Sequence, residues 1–463
     1  MTLFTVALEK VDILPPDRVT DNTSVLTLKN LVFEPLLGWD DGAARPALFS
    51  HWTHSPDGRR WEFFIRPDAA FHDGAPCLPD DILRVVGGIV NSVDTFGMKW
   101  SYARYFARAE IKAGQANSII VENPEPFADI LDIFSDFHIS RLDPQGQATL
   151  GTGPYRIADF TPGQQAVLAR VNAGAGSAHI RLNAVPLAED RWQMLCGGAA
   201  DAAIHLDHME HPPKPDDCFI WGSRINPLSV MFYLNCSQGL FASAAARFAA
   251  NLAVDKDALA RTVFRGFAVP SSTIVSPAHL GMRTANIRPI PYDPVRARAL
   301  LEGIGGPGKV RLRAPLAMPE RSPGISRFVA DALAAVGFDV TVEAEPDRPE
   351  YARQVGRKQI GDLALFDSSP HSTFRVLNDK ISSTERAIWW QGYDNAEAER
   401  LILAGSRAVG PEAREAGYAA CLRHLNADPP WLYLVNPVSL FAARKGAARL
   451  ALTATGALGI AAA

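Results

Sequence analysis

The sequence predicts an α/β protein of two or three domains. Three observations carry this expectation. The chain has 463 residues, more than one domain ordinarily holds. Hydrophobic residues make up 47% of it and charged residues 21%, a balance that builds a large core and excludes a disordered chain. From residue 310 onward, apolar runs with strand and helix periods alternate. They read as strand 310–316, helix 324–336, strand 338–344, helix 348–357 and strand 361–366. Such alternation argues for a mixed, largely parallel sheet with covering helices.

In chain order, residues 2–8 read as a first strand. Ser24 to Leu37 reads as a helix-like segment that closes on Asn30-Leu31-Val32-Phe33-Glu34-Pro35-Leu36. Phe49 to Asn91 reads as a hairpin, a tight loop and a helix. Ser55-Pro56-Asp57-Gly58 has turn chemistry: Pro presets φ, Asp bonds nearby backbone, and Gly accepts a positive φ. Trp61, Phe63 and Ile65 alternate with Arg60, Glu62 and Arg66, the period of a half-buried strand. His72 to Pro76 makes a second turn. Pro79 suits a first helical position, Asp80 and Asp81 favour the positive end of the helix dipole, and Ile82, Val85, Val86, Ile89 and Val90 form an apolar stripe. Gly151-Thr152-Gly153-Pro154-Tyr155 precedes strands 155–160 and 166–171 around Pro162-Gly163. From Asn226, a strand ending at Asn235 leads into a helix pair in which Asp255 can cap the second helix and Gly266 can close it. Asp293-Pro294 opens a further helix that ends at Gly303.

Composition and motifs exclude several classes. A net charge of -4 argues against non-specific nucleic-acid binding. No apolar run reaches the roughly 18 residues of a membrane span, and the tail from Leu450 is too short and too rich in Ala and Gly. The cysteines, Cys77, Cys196, Cys218, Cys236 and Cys421, are scattered without a CxxC pair, which excludes a zinc ribbon or redox motif. Buried free thiols are the expectation, with at least one unpaired because the count is odd. Gly303 to Lys309 satisfies GxxxxGK, but Val310 stands where a phosphate loop needs Ser or Thr, and the order is helix to strand; it reads as a Gly-rich helix stop. There is no GxSxG, no HExxH and no Cys with a plausible His partner, so neither a catalytic arrangement nor a cofactor is expected.

Together these pieces carry a resemblance. Trp52, Ser55 to Gly58, Trp61, Phe63, Arg66, then Phe71 to Gly74 and Pro76, then Asp80 and Asp81, resemble the signature run of the family 5 extracellular solute-binding proteins. That family delivers peptides, nickel chelates, opines and related solutes to ABC importers. Leu78 stands where the family commonly has a capping Thr, a loss of about 1 kcal/mol. The Glu34-Pro35-Leu36 element, the GTGPY run, the segment from Asn226 and the stretch from Trp389 to Asn436 follow in the family's order, so the resemblance covers residues 2–450. It implies a two-lobed periplasmic-binding-protein fold (type II, large cluster C form) with an extra small α+β subdomain in the first lobe. The implied boundaries are 1–38, 151–228 and 437–463 for the first lobe, 39–150 for the inserted subdomain and 229–436 for the second lobe. The implied function is that of a non-catalytic, monomeric substrate-binding component of an ABC importer. It captures a small polar solute (a peptide, an opine-like compound or a metal chelate) as two lobes close, then docks on a membrane permease. The start of the chain lacks a basic n-region and a cleavage site. It reads as the first strand of a mature protein, periplasmic or extracellular once a signal peptide has been removed. Otherwise the chain is cytoplasmic, and a ligand-sensing or accessory role is the alternative.

The candidate site residues rest on the same resemblance. Glu34 is implied at the floor of the ligand cleft. Asp362 to Arg375 is implied to run into it, where peptide binders carry an Asp for the ligand's α-ammonium group. Asp367 is the nearest acid, and His371 follows Pro370 somewhat as a His does in nickel-binding relatives. The family's usual W-x-x-D pattern is absent, which leaves room for a metal chelate or an anionic ligand. Arg375 or Arg386 can pair bidentately with a carboxylate. Trp389, Trp390 and Tyr393 can stack on a ligand, with Tyr102 or Trp100 closing over it, and Asn235 ends the strand that enters the second lobe. His205, His208 and His211 are spaced by three, so on a helix they could share a metal. They also follow an apparent strand and run into Pro212-Pro213, which favours a solvated loop. His205, His208 and His371 are the weak metal candidates; His51, His54 and His72 read as structural.

Overall fold

Leu3–Leu8 is the strand from which one half of the protein grows. In the computed structural model, which describes residues 3–15, 17–40, 42–94, 97–144, 147–172, 177–446 and 449–461, its Val6, Ala7 and Leu8 are fully buried. It runs parallel to His179–Ala184 on one side and to Ala202–Ala203 on the other. Tyr155–Thr161, Gln165–Arg170 and His179–Ala184 follow as an antiparallel meander, so the sheet is mixed, with less parallel pairing than the sequence suggests. Leu28, Leu31 and Val32 of the helix Thr23–Val32 pack with Val6, Leu8, Leu168 and Ile180 in its core. Residue 2 of the expected strand lies outside the described residues. This strand belongs to the first of two units, formed by the chain up to Arg224 and again from Ser439; Ile225–Val438 forms the second.

The helix Thr23–Val32 begins where the Asn22 side chain accepts the Val25 N–H (3.0 Å). It stops short of the expected Leu37 because Pro35 has no N–H and disfavours a helical Glu34. The Glu34 carbonyl instead accepts from Ile139 N–H (2.9 Å), and Leu36 N–H donates to Phe137 O (2.8 Å). The GTGPY run docks on this helix end. A Cβ at Gly151 would stand 2.0 Å from Val32 O, and one at Gly153 would stand 2.7 Å from Leu31 O. His72 binds the same joint through both ring nitrogens: Nε2 to Gly153 O (3.1 Å) and Nδ1 to Gly151 N–H (3.3 Å). Burial pushes its pKa down and keeps the ring neutral. Arg66 reaches the Glu34 carboxylate through Nη2 (2.9 Å), and Thr152 Oγ1 donates to the same oxygen (3.1 Å).

The stretch within 39–150 carries its own antiparallel sheet, in the order Phe49–His54, Arg60–Ile65, Ser118–Glu122, Glu110–Ala113. Gly58 turns its hairpin at φ 67°, its N–H on Ser55 O (2.9 Å). Phe63 packs against Phe49 and Phe134 with centroids 5.2 and 5.0 Å away. The helix Pro79–Asn91 has no side-chain cap at Leu78, yet Asp81 reaches back to the Leu78 N–H (3.0 Å), the surviving half of a capping box. Arg141 Nη2 meets the same carboxylate at 2.7 Å, and its guanidinium lies 4.0 Å from the Phe71 ring centroid.

In the second unit the sheet order is Asp339–Glu345, Lys309–Pro315, Leu363–Ser368, Ser229–Leu234, then Trp431–Arg444. The first three strands are parallel and the rest antiparallel. The helices Ser322–Ala335 and Arg348–Gly356 alternate with the parallel strands, each element within two residues of its expected place. Asp255 caps Lys256–Thr262 by accepting from Ala258 N–H (2.8 Å), and Asp293 caps Pro294–Glu302 by accepting from Arg296 N–H (2.9 Å). The GxxxxGK segment joins the helix Pro294–Glu302 to the strand Lys309–Pro315, with Gly305 and Gly306 at positive φ.

Burial disfavours the Asp81 charge, but Arg141, the Leu78 N–H and Arg84 outweigh it and hold the carboxyl below its usual pKa. Arg141→Ala strands that carboxylate. Removing one partner of a fully buried pair costs about 3–5 kcal/mol; with the Arg141 side chain 27% exposed, we expect about 2 kcal/mol, read from urea denaturation. The folded pKa lies below the unfolded one, so the deficit is full above the unfolded carboxylate pKa and shrinks as pH falls through the folded value. A deficit unchanged in acid would rule out the charge pair as its cause.

Candidate functional site

The parallel strands Lys309–Pro315, Asp339–Glu345 and Leu363–Ser368 end on one edge of the second unit's sheet. In open α/β sheets this carboxyl edge is where ligands are held. Here it gathers charge. Arg348 opens the helix that follows Asp339–Glu345. Asp367 and Ser368 end their strand, His371 lies in the connection after it, and the helix Thr373–Lys380 carries Arg375, Asp379 and Lys380. The side chains of Arg348 and Asp367 are each 14% exposed; His371, Arg375, Asp379 and Lys380 are buried. Arg348 Nη2 stands 3.4 Å from Asp367 Oδ1, and its guanidinium lies 4.8 Å from the Phe366 centroid. Lys380 Nζ donates to Ser368 Oγ (2.5 Å). The Ser372 side chain accepts the Arg375 N–H (3.3 Å) and so caps the helix.

Aromatic surface adjoins these charges. Strand register pairs Ser229 with Ser368, Met231 with Phe366 and Tyr233 with Ala364, which sets Tyr233, Phe366 and Ser368 on one face. Phe366 meets Tyr233 at 5.2 Å and the half-buried Trp389 at 5.0 Å. The Tyr233 hydroxyl is fully buried and has no hydrogen-bond partner among the described residues. Burial, then the nearby Asp367 charge, pushes its pKa up, so it stays a neutral phenol.

His279 fixes the connection that carries His371. Its Nε2–H donates to Pro370 O (2.8 Å), and its Nδ1 accepts from Ser276 Oγ (3.2 Å). Burial lowers its pKa to about 4, so the ring is neutral near pH 7.

Of the expected site residues, the structure brings Asp367, His371, Arg375 and Trp389 to this edge. It ties others into the framework. Asn235 Nδ2 donates to Gly361 O (3.1 Å) and its Oδ1 accepts from Ser237 Oγ (2.7 Å), closing the strand end. Trp390 Nε1 donates to Tyr393 O (2.8 Å), and Tyr393 OH donates to Asp428 (2.9 Å), which also binds Arg247 (2.6 Å). In the first unit, Glu34 is held by Arg66 and Thr152 as described. Tyr102 is fully buried, its hydroxyl on Asp136 (2.8 Å) and its ring 4.9 Å from Phe137.

The helical spacing offered for His205, His208 and His211 does not form. His205 adopts φ 52°, Leu206–His208 is a single 3-10 turn, and His211 lies in an exposed loop. His205 Nε2 bonds Thr23 Oγ1 (2.7 Å), and its ring stacks on His208 at 5.2 Å. Among the described residues no group of three or more His, Cys, Asp or Glu side chains could hold a metal ion, His371 included. Arg348, Lys380, His279 and Tyr233, which also lie at or beside this edge, are not singled out by the sequence. Arg348 opens its helix, where the dipole disfavours a cation, and only the fold shows that it reaches Asp367.

Comparison with known proteins gives consistent matches. The family profile of the bacterial extracellular solute-binding proteins, family 5 Middle, matches residues 43–373. The nickel-binding periplasmic protein of Escherichia coli K12 is 25% identical over 366 residues, covering 70% of this chain and 68% of that protein. The glutathione-binding protein GsiB of Shigella flexneri serotype 5b is 23% identical over 455 residues, 91% of this chain and 86% of that one. The structure of DppA from Helicobacter pylori, an ABC transporter-associated periplasmic binding protein in complex with the peptide STSA, aligns with a TM-score of 0.76 at 21% identity. It covers 99% of this chain and 96% of that one, and it shows the shared fold.

The neutral His279 has a measurable consequence. Below about pH 6.5 the unfolded state takes up a proton that the folded state refuses until about pH 4, so stability falls as pH drops across that window. His279→Gln keeps a donor for Pro370 O and removes the titration. It is expected to flatten the decline of the urea midpoint between pH 6.5 and 4; an unaltered slope would remove His279 from the account.

Proposed function

Because the chain belongs to the bacterial extracellular solute-binding proteins of family 5, we propose that its own ligand is a small zwitterionic solute, a short peptide or opine-like compound, held at the charged edge of the second unit. The protein is a substrate-binding component of an ABC importer, a transport protein and not an enzyme. One observation supports the ligand class. The edge buries both signs of charge, Arg348, Arg375 and Lys380 against Asp367 and Asp379, beside the half-buried Trp389. A zwitterion finds a carboxylate partner and an ammonium partner there, so neither of its charges is buried alone, which would cost several kcal/mol. Trp389 offers a stacking face for its apolar part.

By name, the relatives above bind glutathione, the peptide STSA and nickel. The first two are peptides and fit this reading. Nickel would have to arrive inside a chelate, with its own ligands in place. Periplasmic relatives support a place outside the cytoplasmic membrane, where the protein acts as a monomer that presents its solute to a membrane permease.

Titration calorimetry with a zwitterionic tripeptide, its N-acetylated and C-amidated forms, an opine and a nickel–histidine chelate tests the ligand class. The zwitterions are expected to bind, and blocking either terminus should weaken binding. Asp367→Asn and Arg348→Ala should each cost about 10–100-fold in affinity, the range for hydrogen bonds to charged groups. Trp389→Ala should cost about tenfold. Wild-type affinity in variants that melt like the wild type would discard this edge as the site; preference for the chelate would discard the zwitterion.

A further inference from the structure

Two of the cysteines lie exposed in the first unit, against the expectation that the free thiols are buried: Cys196 and Cys218. Cys77 and Cys421 are buried and Cys236 is half-buried. Cys196 is the last residue of the helix Ala188–Cys196. Cys218 immediately precedes the strand Phe219–Ile225.

The two segments are packed together. Trp192 lies one turn before Cys196 on the same helix face, and its ring sits 5.2 Å from Phe219 and 5.6 Å from Trp221. Asp216 is tied to this contact: its Oδ1 accepts the Cys218 N–H (3.0 Å), and its carbonyl accepts from Trp221 Nε1 (3.1 Å). The same Asp216 carboxylate lies close enough to Cys196 to disfavour its thiolate, after partial burial, which acts first. One carboxylate is thus bonded beside one cysteine and within electrostatic reach of the other, next to a shared aromatic contact.

We propose that Cys196 and Cys218 are a disulfide-forming pair that clasps the helix Ala188–Cys196 to the strand Phe219–Ile225. The reaction is exchange with an external disulfide. A thiolate of the pair attacks one of its sulfurs, a mixed disulfide forms, and the second thiolate displaces the external thiol. Two thiol protons and two electrons leave the pair, and the external disulfide becomes two thiols. The bond closes segment 197–217, which carries His205, Asp207 and His208, and anchors the strand that leads to the boundary between the units at Arg224 and Ile225. Its formation in the cell rests on the location proposed above, since such bonds persist in oxidising compartments; its formation in vitro does not.

The test uses the full-length chain, reduced and then exposed to oxidised glutathione, with non-reducing tryptic mass spectrometry and thiol titration. We expect one intramolecular link, Cys196 to Cys218, the loss of two titratable thiols, and a melting temperature a few degrees above that of the reduced chain. Cys196→Ser and Cys218→Ser should each abolish the link and the shift, while Cys77→Ser should keep both. Separate glutathione adducts on both cysteines, a link between two chains, or an oxidised form no more stable than the reduced one would overturn the proposal. A chain that links in vitro but is isolated reduced from cells would count against the location and not against the pair.

Discussion

The first unit depends on a carboxylate–guanidinium contact. Glu34 sits where Pro35 has ended a helix, and Arg66 sits where a strand has ended; their pairing, with Thr152 on the same oxygen, fixes three separate stretches of chain at one point. The contact is only part-buried, with side-chain exposures of 24% and 20%, so its own energy is modest. Its importance is geometric. The pair holds the GTGPY backbone against Val32 at a distance only glycine permits, and His72 then locks that backbone through both ring nitrogens. Motifs that lie far apart in the sequence are thus parts of one joint.

The second unit handles charge differently. The buried Arg247 and the half-buried Asp428 form a tight pair on which Tyr393 and Asn395 also converge, and each group there has a close partner. At the carboxyl edge of the parallel strands Arg348 and Asp367 are also largely buried, and Tyr233 keeps a hydroxyl without a partner among the described residues. A buried hydroxyl left unbonded costs about 1–3 kcal/mol. The first arrangement is what a framework needs; at the edge, the unbonded Tyr233 hydroxyl is bonding capacity that a ligand can take up.

Much of this was legible in the sequence, for identifiable reasons. The elements between 309 and 368 are short, strongly periodic and separated by Gly, Pro and Asp, so propensity and packing agree and each lies near its expected place. The end of the helix at Val32 was misjudged because an apolar run continues to Leu37 and outweighs the single Pro in a periodicity reading. Asp367 and His371 could be named from the sequence because they lie in a recognisable segment. Arg348, Lys380 and His279 could not, because their partners are distant in sequence or one helix away, and no local pattern encodes such pairings. Trp390 and Tyr393 illustrate the converse: an aromatic cluster reads alike in sequence whether or not its polar handles are bonded within the protein, as they are here to Tyr393 O and Asp428.

The strand Phe219–Ile225 and the strand Trp431–Arg444 both run through the boundary between the units. On the first of them, a Cβ at Gly222 would stand 2.1 Å from the Phe441 ring, and Phe441 is itself buried. Position 222 is therefore closed to every side chain while that ring stays in place. A glycine beside a boundary invites a functional interpretation, but here the constraint is volumetric: the glycine reports the thickness of an aromatic ring and carries no information about the cargo.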